Sequence, residues 1–289
     1  MKKYIITTDT TSDLPQEYLD QHSITLLPLY YSINETVYGE DNALEPKEFY
    51  RIMRDGAMPT TMAVNPDTAR TIFTNLIEQG YDILHIAFSS ALSGSCSVAS
   101  TTARELNEEI PDAKIIVIDS LCASLGEGLL VHKAVQLKES GKSIEEVSEW
   151  LENNKLNLCH LFTVDDLHHL HRGGRVSKAS AIIGTLINVK PVLHVNNEGR
   201  LLPLNNVRGR KKALTALVDL MEEKVKNNKE KNDIVFISHG DSLEDAQFVG
   251  NLIKERLGIP NCMISMISPT IGSHSGPGTI ALFFMGSER

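Results

Sequence analysis

The sequence predicts an α/β protein made of two α/β domains. Residues 1–155 should form an N-terminal three-layer unit, a parallel sheet with helices on both faces, and residues 156–289 a C-terminal mixed-sheet α/β unit. Three observations carry this expectation. Apolar runs rich in Ile and Val, without polar alternation, recur between helical stretches, as strands buried on both faces of βαβ units do. A turn signal, Asn196-Asn197-Glu198-Gly199, joins two strand-like runs, and a hairpin among βα units implies a mixed sheet. The polar stretch "ENNKLN" near residue 155 marks the boundary, and 289 residues suffice for two ordinary domains.

Taken in order, "YIITTD" (4–9) reads as the first strand, followed by a helix near "PQEYLDQH" and a strand-like run "ITLLPLYYSI" (24–33). Helical stretches follow at "EPKEFYRIMRDG" and "NPDTARTIFTNLIEQG", where Ile72, Phe73, Leu76 and Ile77 fall at helical spacing. Then come a strand "DILHIAFS" (82–89), a helix from Gly94 to about Glu109, a strand "AKIIVIDS" (113–120), and helices at "GEGLLVHKAVQLKESG" and "SIEEVSEWLENN". In the second half, "NLCHLFTV" (157–164) precedes helical pieces and the hairpin "KPVLHVNNEGRLLPL" (190–204). A long helix from about Arg208 to Lys226 leads to "DIVFISHG" (233–240), another helix, "CMISMIS" (262–268) and a closing strand "TIALFF".

Composition narrows the function. A net charge of -9 argues against a broad nucleic-acid surface. No apolar run approaches the roughly 18 residues that span a bilayer, and the three apolar residues Tyr4 to Ile6 are too few for a signal-peptide core. Cys96, Cys122, Cys159 and Cys262 lie far apart with no CxxC pair, which suits free thiols in a reducing cytoplasm. The expected setting is cytoplasmic.

Ligands of open α/β sheets gather beyond the carboxyl ends of the strands. Here those ends run into hydroxyls and glycines at "TTDTTSDLP" (7–15), "SSALSGS" (89–95), "DSLCASLGEG" (119–128) and "SHGD" (238–241). Ser93-Gly94-Ser95 opens a helix and reads either as an anion site or as an ordinary N-cap. Asp9, Asp13 and Asp119 would repel an anion and are expected to cap helices or orient hydroxyls. His274, inside Gly272-Ser273-His274-Ser275-Gly276, reads as a titratable side chain on a small-residue loop facing a ligand's polar end, or as an incidental residue of a tight turn.

In "DDLHHLHRGGR" (165–175), His168 and His171 would share a helix face, but no third ligand stands at readable spacing, so a solvated face is expected and no metal. "RGGR" and "VRGRKKAL" read as surface charge, as a phosphate site or as a docking surface for an acidic partner. There is no GxGxxG or Walker A pattern, and "GSHSG" has His where a hydrolase elbow has Ser.

Together and in this order, "TTDTTSDLP", "SSALSGSCSVAS", "IDSLCASLGEGLLV", "LHRGGRVSKASAIIGTLINVKPVLHVNNEGRL", "ISHGD" and "IGSHSGPGTIALFF" resemble the DegV family, over about residues 5 to 284. These are bacterial fatty-acid-binding proteins that serve as the binding subunit of fatty acid kinase. The resemblance implies an acyl chain buried between the two domains. It implies a carboxylate held by Thr61, Ser93 and His274, with backbone amides from Gly94 or Ser95. Two hydroxyls and an imidazole suit a carboxylate, whose burial without donors is costly.

The resemblance also implies presentation rather than catalysis. The bound long-chain fatty acid, with no cofactor, would be offered to a separate ATP-dependent, dihydroxyacetone-kinase-like subunit. The acyl-phosphate would then pass to phospholipid synthesis through transient contact with a membrane or an acyltransferase. Arg172, Arg175 and Arg208 are the candidates for kinase docking or phosphoryl contact. The chain departs from the family pattern at Met62-Ala63-Val64, where Ser-Gln-Pro is usual, and at Ser95-Cys96, where Thr-Tyr is usual; both reshape the pocket wall. Two other functions are set against this one: a serine hydrolase or acyltransferase using Ser93 and His274 with Asp119 orienting the base, and a small-anion or phosphosugar-binding module.

Overall fold

Strand β1 (Tyr4–Asp9) lies inside the N-terminal sheet, between β2 (Thr25–Leu27) and β6 (Asp82–Ala87), because almost every side chain on it is buried. With β7 (Ile115–Asp119) they form an all-parallel sheet ordered β2-β1-β6-β7. The computed structural model describes residues 3–39, 42–177, 188–225 and 232–289. Helices α3 (Pro66–Glu78) and α4 (Ser95–Glu109) cover one face through Phe73, Leu76, Ala99 and Leu106. Helices α5 (Leu125–Glu139) and α6 (Ile144–Asn154) cover the other, which completes three layers. Helix α6 opens with a capping box, Ser143 and Glu146 each bonding the other's backbone N–H.

The second sheet is mixed and ordered β10-β9-β8-β13-β11-β12. Its strands are β8 (Leu158–Thr163), β9 (Val189–Val195), β10 (Leu201–Arg208), β11 (Ile234–His239), β12 (Asn261–Met266) and β13 (Ile280–Met285). Only β11 and β12 run parallel. "TIALFF" supplies β13, an inner strand whose six residues are all buried. The hairpin sits where expected, and Pro203 is tolerated because β10 is an edge strand, bulged between Pro203 and Asn205. Helices α8 (Arg210–Val225) and α9 (Leu243–Leu257) cover the outer face. Helix α8 starts after the expected Arg208, which ends β10 instead, and Lys226 lies outside the described residues.

Two expectations are corrected. The run 24–33 is not one strand: Pro28 lacks the N–H a ladder needs, so β2 ends at Leu27. The chain resumes as β3 (Tyr30–Ile33) in a separate antiparallel sheet β4-β3-β5, with β4 (Thr36–Tyr38) and β5 (Thr60–Met62). Helix α2 (Pro46–Arg54) packs Phe49, Tyr50 and Met53 against it. "GSHSG" is not a loop: His274 lies on a short helix, α10 (Pro269–Ser275). Helix α1 spans Gln16–Gln21 and α7 spans His168–Arg172; residues 178–187 of the segment carrying the family resemblance lie outside the described residues.

The core does not stop at residue 155. Helix α5 is apolar on most sides, as a helix between two sheets must be, and its Leu125, Leu129, Leu130 and Val131 join one cluster with Ile6 and Leu84 of the first sheet and Phe162, Phe236 and Phe283 of the second. Two glycines permit the close approach. A Cβ on Gly126 would stand 2.8 Å from the Phe283 ring, and one on Gly128 would stand 2.8 Å from the Ser12 carbonyl. The hairpin turn also docks on the segment after β6, where Ser89 Oγ donates to the Gly199 carbonyl at 3.0 Å. Among the described residues no helix is long and apolar enough to cross a membrane.

Candidate functional site

The carboxyl ends of β6 and β7 face the inner surface of the mixed sheet, and between them lies a cavity enclosing about 880 Å³ of empty space, counted out to its mouth. Its walls are apolar where Phe88, Leu92, Phe162, Leu201, Ile267 and Ala281 stand. One end is polar. There Thr61, Ser93, Gly94, Arg175, His274 and Ser275 line the space, brought from β5, the β6–α4 loop, the segment after α7, and α10.

His274 Nε2 and Thr61 Oγ1 share a hydrogen bond of 2.8 Å. Burial pushes the His274 imidazole down to about 3, aided by the positive charges of Arg175 and Arg172, so the ring is neutral. With its proton on Nε2 the ring donates to Thr61 Oγ1, which leaves the threonine O–H free for a ligand; in the other tautomer the ring accepts from Thr61. Among the described residues Nδ1 is buried without a partner, and Gly173 closes on it: a Cβ there would stand 2.1 Å from Nδ1. In the "GSHSGPG" stretch, Gly272 lets α10 approach Tyr50, while Gly276 and Gly278 adopt φ of 78° and 79°.

Ser93 Oγ lies 2.9 Å from Ser95 Oγ and accepts from the Ser95 amide at 3.2 Å. Ser95 is fully buried behind Ser93, where its Oγ accepts from the Val64 N–H; it does not line the cavity, and its amide is already used. Gly94 does line it.

Arg172 and Arg175 both reach this end, and both are spent on carbonyls. Arg172 donates to Pro59 O at 2.9 Å and to Ser273 O at 3.1 Å, tying the approach to β5 to α10. Arg175 donates to Leu92 O through Nε and one terminal nitrogen, at 3.2 and 3.1 Å, and to Gly173 O. The segment 172–175 therefore braces the three pieces of chain that carry Thr61, Ser93 and His274. Among the described residues neither arginine makes an ion pair. Arg208 is elsewhere, exposed on β10 opposite Val189 and not lining the cavity.

A hydrolytic triad is not assembled. Ser93 bonds to Ser95 rather than to His274, and Asp119 accepts from the Ser90 and Leu121 amides instead of orienting the imidazole. A ring pushed down to about 3 is also a poor base near neutrality. Neither Asp9 nor Asp13 caps its local helix. Asp13 reaches across to the Ser268 amide ahead of α10 and accepts from Ser124 Oγ. Asp9 accepts from the Phe88 amide at 2.8 Å and holds the end of β6.

Sequence reasoning missed Glu127, fully buried on α5. It accepts from Thr8 Oγ1, Thr11 Oγ1 and the Asp9 amide, and burial together with the Asp9 charge pushes its carboxyl up. It also missed His160, a buried residue lining the cavity wall; the only signal was one His inside the otherwise apolar "NLCHLFTV". His168 is exposed as expected, whereas His171 Nδ1 turns inward to the Val176 carbonyl at 3.4 Å. Among the described residues no three His, Cys, Asp or Glu side chains gather as a metal site would require.

Comparison with known proteins gives one answer. The family model described as "Uncharacterised protein, DegV family" matches residues 3–287. A DegV domain-containing protein of Clostridium perfringens is 43% identical over 291 residues, covering 100% of this chain and 99% of that one. A stearic-acid-binding protein from Eubacterium ventriosum superposes with a TM-score of 0.91 at 26% identity, over 98% of each chain. A fatty-acid-binding DegV protein of Bacillus subtilis superposes at 0.85 and 28% identity, over 99% of this chain and 100% of that one. A fold of one parallel and one mixed sheet, and a match from one end of the chain to the other, lead to a single conclusion: this chain belongs to the DegV family.

Proposed function

We propose that this protein binds a long-chain fatty acid, with its carboxylate at Thr61, Ser93 and His274 and its acyl chain along the apolar walls of the cavity. The observation that carries this reading is the composition of one cavity: apolar for most of its wall, and lined at one end by hydroxyls, a neutral imidazole and Arg175, with the charge of Arg172 close behind. A carboxylate only accepts hydrogen bonds, and this end supplies donors and positive charge. Solved relatives described as binding fatty acids support the same ligand. A small anion would leave the apolar wall unused.

The bound acid is presented rather than transformed. The carboxylate end is the one nearer solvent, since Gly94 is exposed and Thr61, Ser93 and His274 are half-buried, whereas Phe162 and Ala281 are buried. A separate ATP-dependent, dihydroxyacetone-kinase-like subunit would phosphorylate that exposed end in the cytoplasm, with exposed Arg208 on its docking face. The acyl-phosphate would then pass to phospholipid synthesis through a transient membrane or acyltransferase contact.

Native mass spectrometry of freshly purified protein, followed by denaturation and identification of what is released, tests the binding step. Release of a fatty acid that is diminished in Thr61→Ala, Ser93→Ala and His274→Ala is the expected result. Protein that carries none, and takes up none when fatty acid is added, refutes it.

A further inference from the structure

His160 is the residue of this cavity that carboxylate binding does not use. It stands on β8, opposite Phe283 of β13, and is 5% exposed. Its ring packs 4.4 Å from the Phe283 ring and 5.6 Å from the Phe162 ring, centroid to centroid, and it forms part of the cavity wall. Among the described residues Nδ1 is buried without a hydrogen-bond partner. Burial, with the charge of Arg289 next, holds the imidazole well below its ordinary range, so it is neutral.

Position separates His160 from the head-group end. Thr279, bonded to Ser275 O next to His274, and Ala281 line the cavity in turn along β13. His160 lies across the ladder from Phe283, two residues beyond Ala281 and so about 7 Å further along the strand. The rings packed against it, those of Phe162 and Phe283, offer only aromatic carbon. A buried imidazole nitrogen without a partner loses its solvation, which a purely hydrocarbon ligand cannot restore.

We propose that His160 is a specificity-determining residue that hydrogen-bonds a hydroxyl on the acyl chain, so that this cavity selects long-chain hydroxy fatty acids over the plain acid. A neutral imidazole presents one donor and one acceptor, and which nitrogen is which depends on the tautomer. A hydroxyl both donates and accepts, so it satisfies either nitrogen; a keto oxygen satisfies only the N–H. The inference rests on the fatty-acid reading above and adds the chemistry of the chain to it.

The test compares stearic acid with a series of hydroxystearic acids, their hydroxyl moved stepwise along the middle of the chain, by titration calorimetry on wild type, His160→Leu and His160→Gln. At least one isomer should bind wild type about tenfold tighter than stearic acid, a typical return for satisfying a buried polar group. His160→Leu should erase that preference, and His160→Gln should keep part of it. Wild type that binds stearic acid as well as every isomer overturns the proposal and leaves the fatty-acid reading intact; this arm needs no variant to fold. A preference unchanged in folded His160→Leu also overturns it. Failure of wild type to bind any of the acids overturns both readings together.

Discussion

Gly173 is where a single carbon atom should separate binding from stability. Its φ of -72° and ψ of -7° suit alanine, so Gly173→Ala strains no backbone. The added Cβ would nevertheless stand 2.1 Å from His274 Nδ1, against an ordinary contact near 3.4 Å, so the ring must retreat by roughly 1.3 Å. It cannot retreat in place, because its opposite edge is held 2.8 Å from Thr61 Oγ1. The Thr61–His274 pair is therefore broken or turned out of the cavity. Losing one such interaction with a buried charged ligand costs about 1.5–3 kcal/mol. At 1.4 kcal/mol per tenfold, fatty-acid affinity should fall by roughly 10- to 150-fold. Fluorescent fatty-acid displacement reads the affinity, and thermal denaturation checks the fold. Gly174→Ala is the control: Gly174 has φ of 74° with nothing near its missing Cβ, so alanine there should lower stability and spare binding. Wild-type affinity in folded Gly173→Ala would refute the placement of His274 in the site.

Other predictions follow from the same geometry. Arg175→Gln removes the charge that helps depress His274 and frees the Leu92 carbonyl; the imidazole should then titrate above about 3 by NMR and fatty-acid affinity should drop, and an unchanged titration would show that the arginine's charge does not reach the ring. Asp13 is raised by burial to about 6, above its unfolded value near 4, so the native state holds a proton that the unfolded chain has already released. Its contribution to stability is therefore present below about pH 4 and is lost as pH rises to about 6. Relative to wild type, Asp13→Asn should gain on the order of 2–3 kcal/mol across that window in urea titrations, and parallel pH profiles would contradict this. Thr61→Val keeps the shape of β5 but removes the hydroxyl; it should weaken fatty-acid binding about tenfold without shifting the melting temperature by more than a few degrees, and unaltered affinity would remove Thr61 from the head-group set.

Much of this architecture is local and could be read along the chain. The Ile- and Val-rich runs became β1, β6, β7 and β11, and Asn196 to Gly199 became the hairpin turn, because period and turn chemistry act within a few residues. Pro28 marks the limit of hydropathy as a guide: a proline inside an apolar run ends one strand and sends the chain into another sheet. The small residues of "GSHSG" likewise suggested a loop, but α10 tolerates them because Gly272 must pass close to Tyr50.

Ser93 and His274 stood out in the sequence and Thr61 came only through the family resemblance, yet no periodicity relates positions 61, 93 and 274. Only the folded chain shows that Thr61 and His274 touch, that Ser95 stands behind Ser93, and that Arg172 and Arg175 bond carbonyls while Arg208 lies elsewhere. Glu127 was invisible for the same reason, and His160 showed only as one His inside an apolar run. A carboxylate on a helix and a histidine in a strand carry no mark of burial until a second sheet closes over them. The sequence by itself determined most of the elements, the α/β class and the chemical types available at the strand ends, because those follow from local hydrogen bonding and apolar period. The tertiary structure alone decided which polar groups meet and which remain without a partner, because burial and desolvation are set by residues distant in the chain.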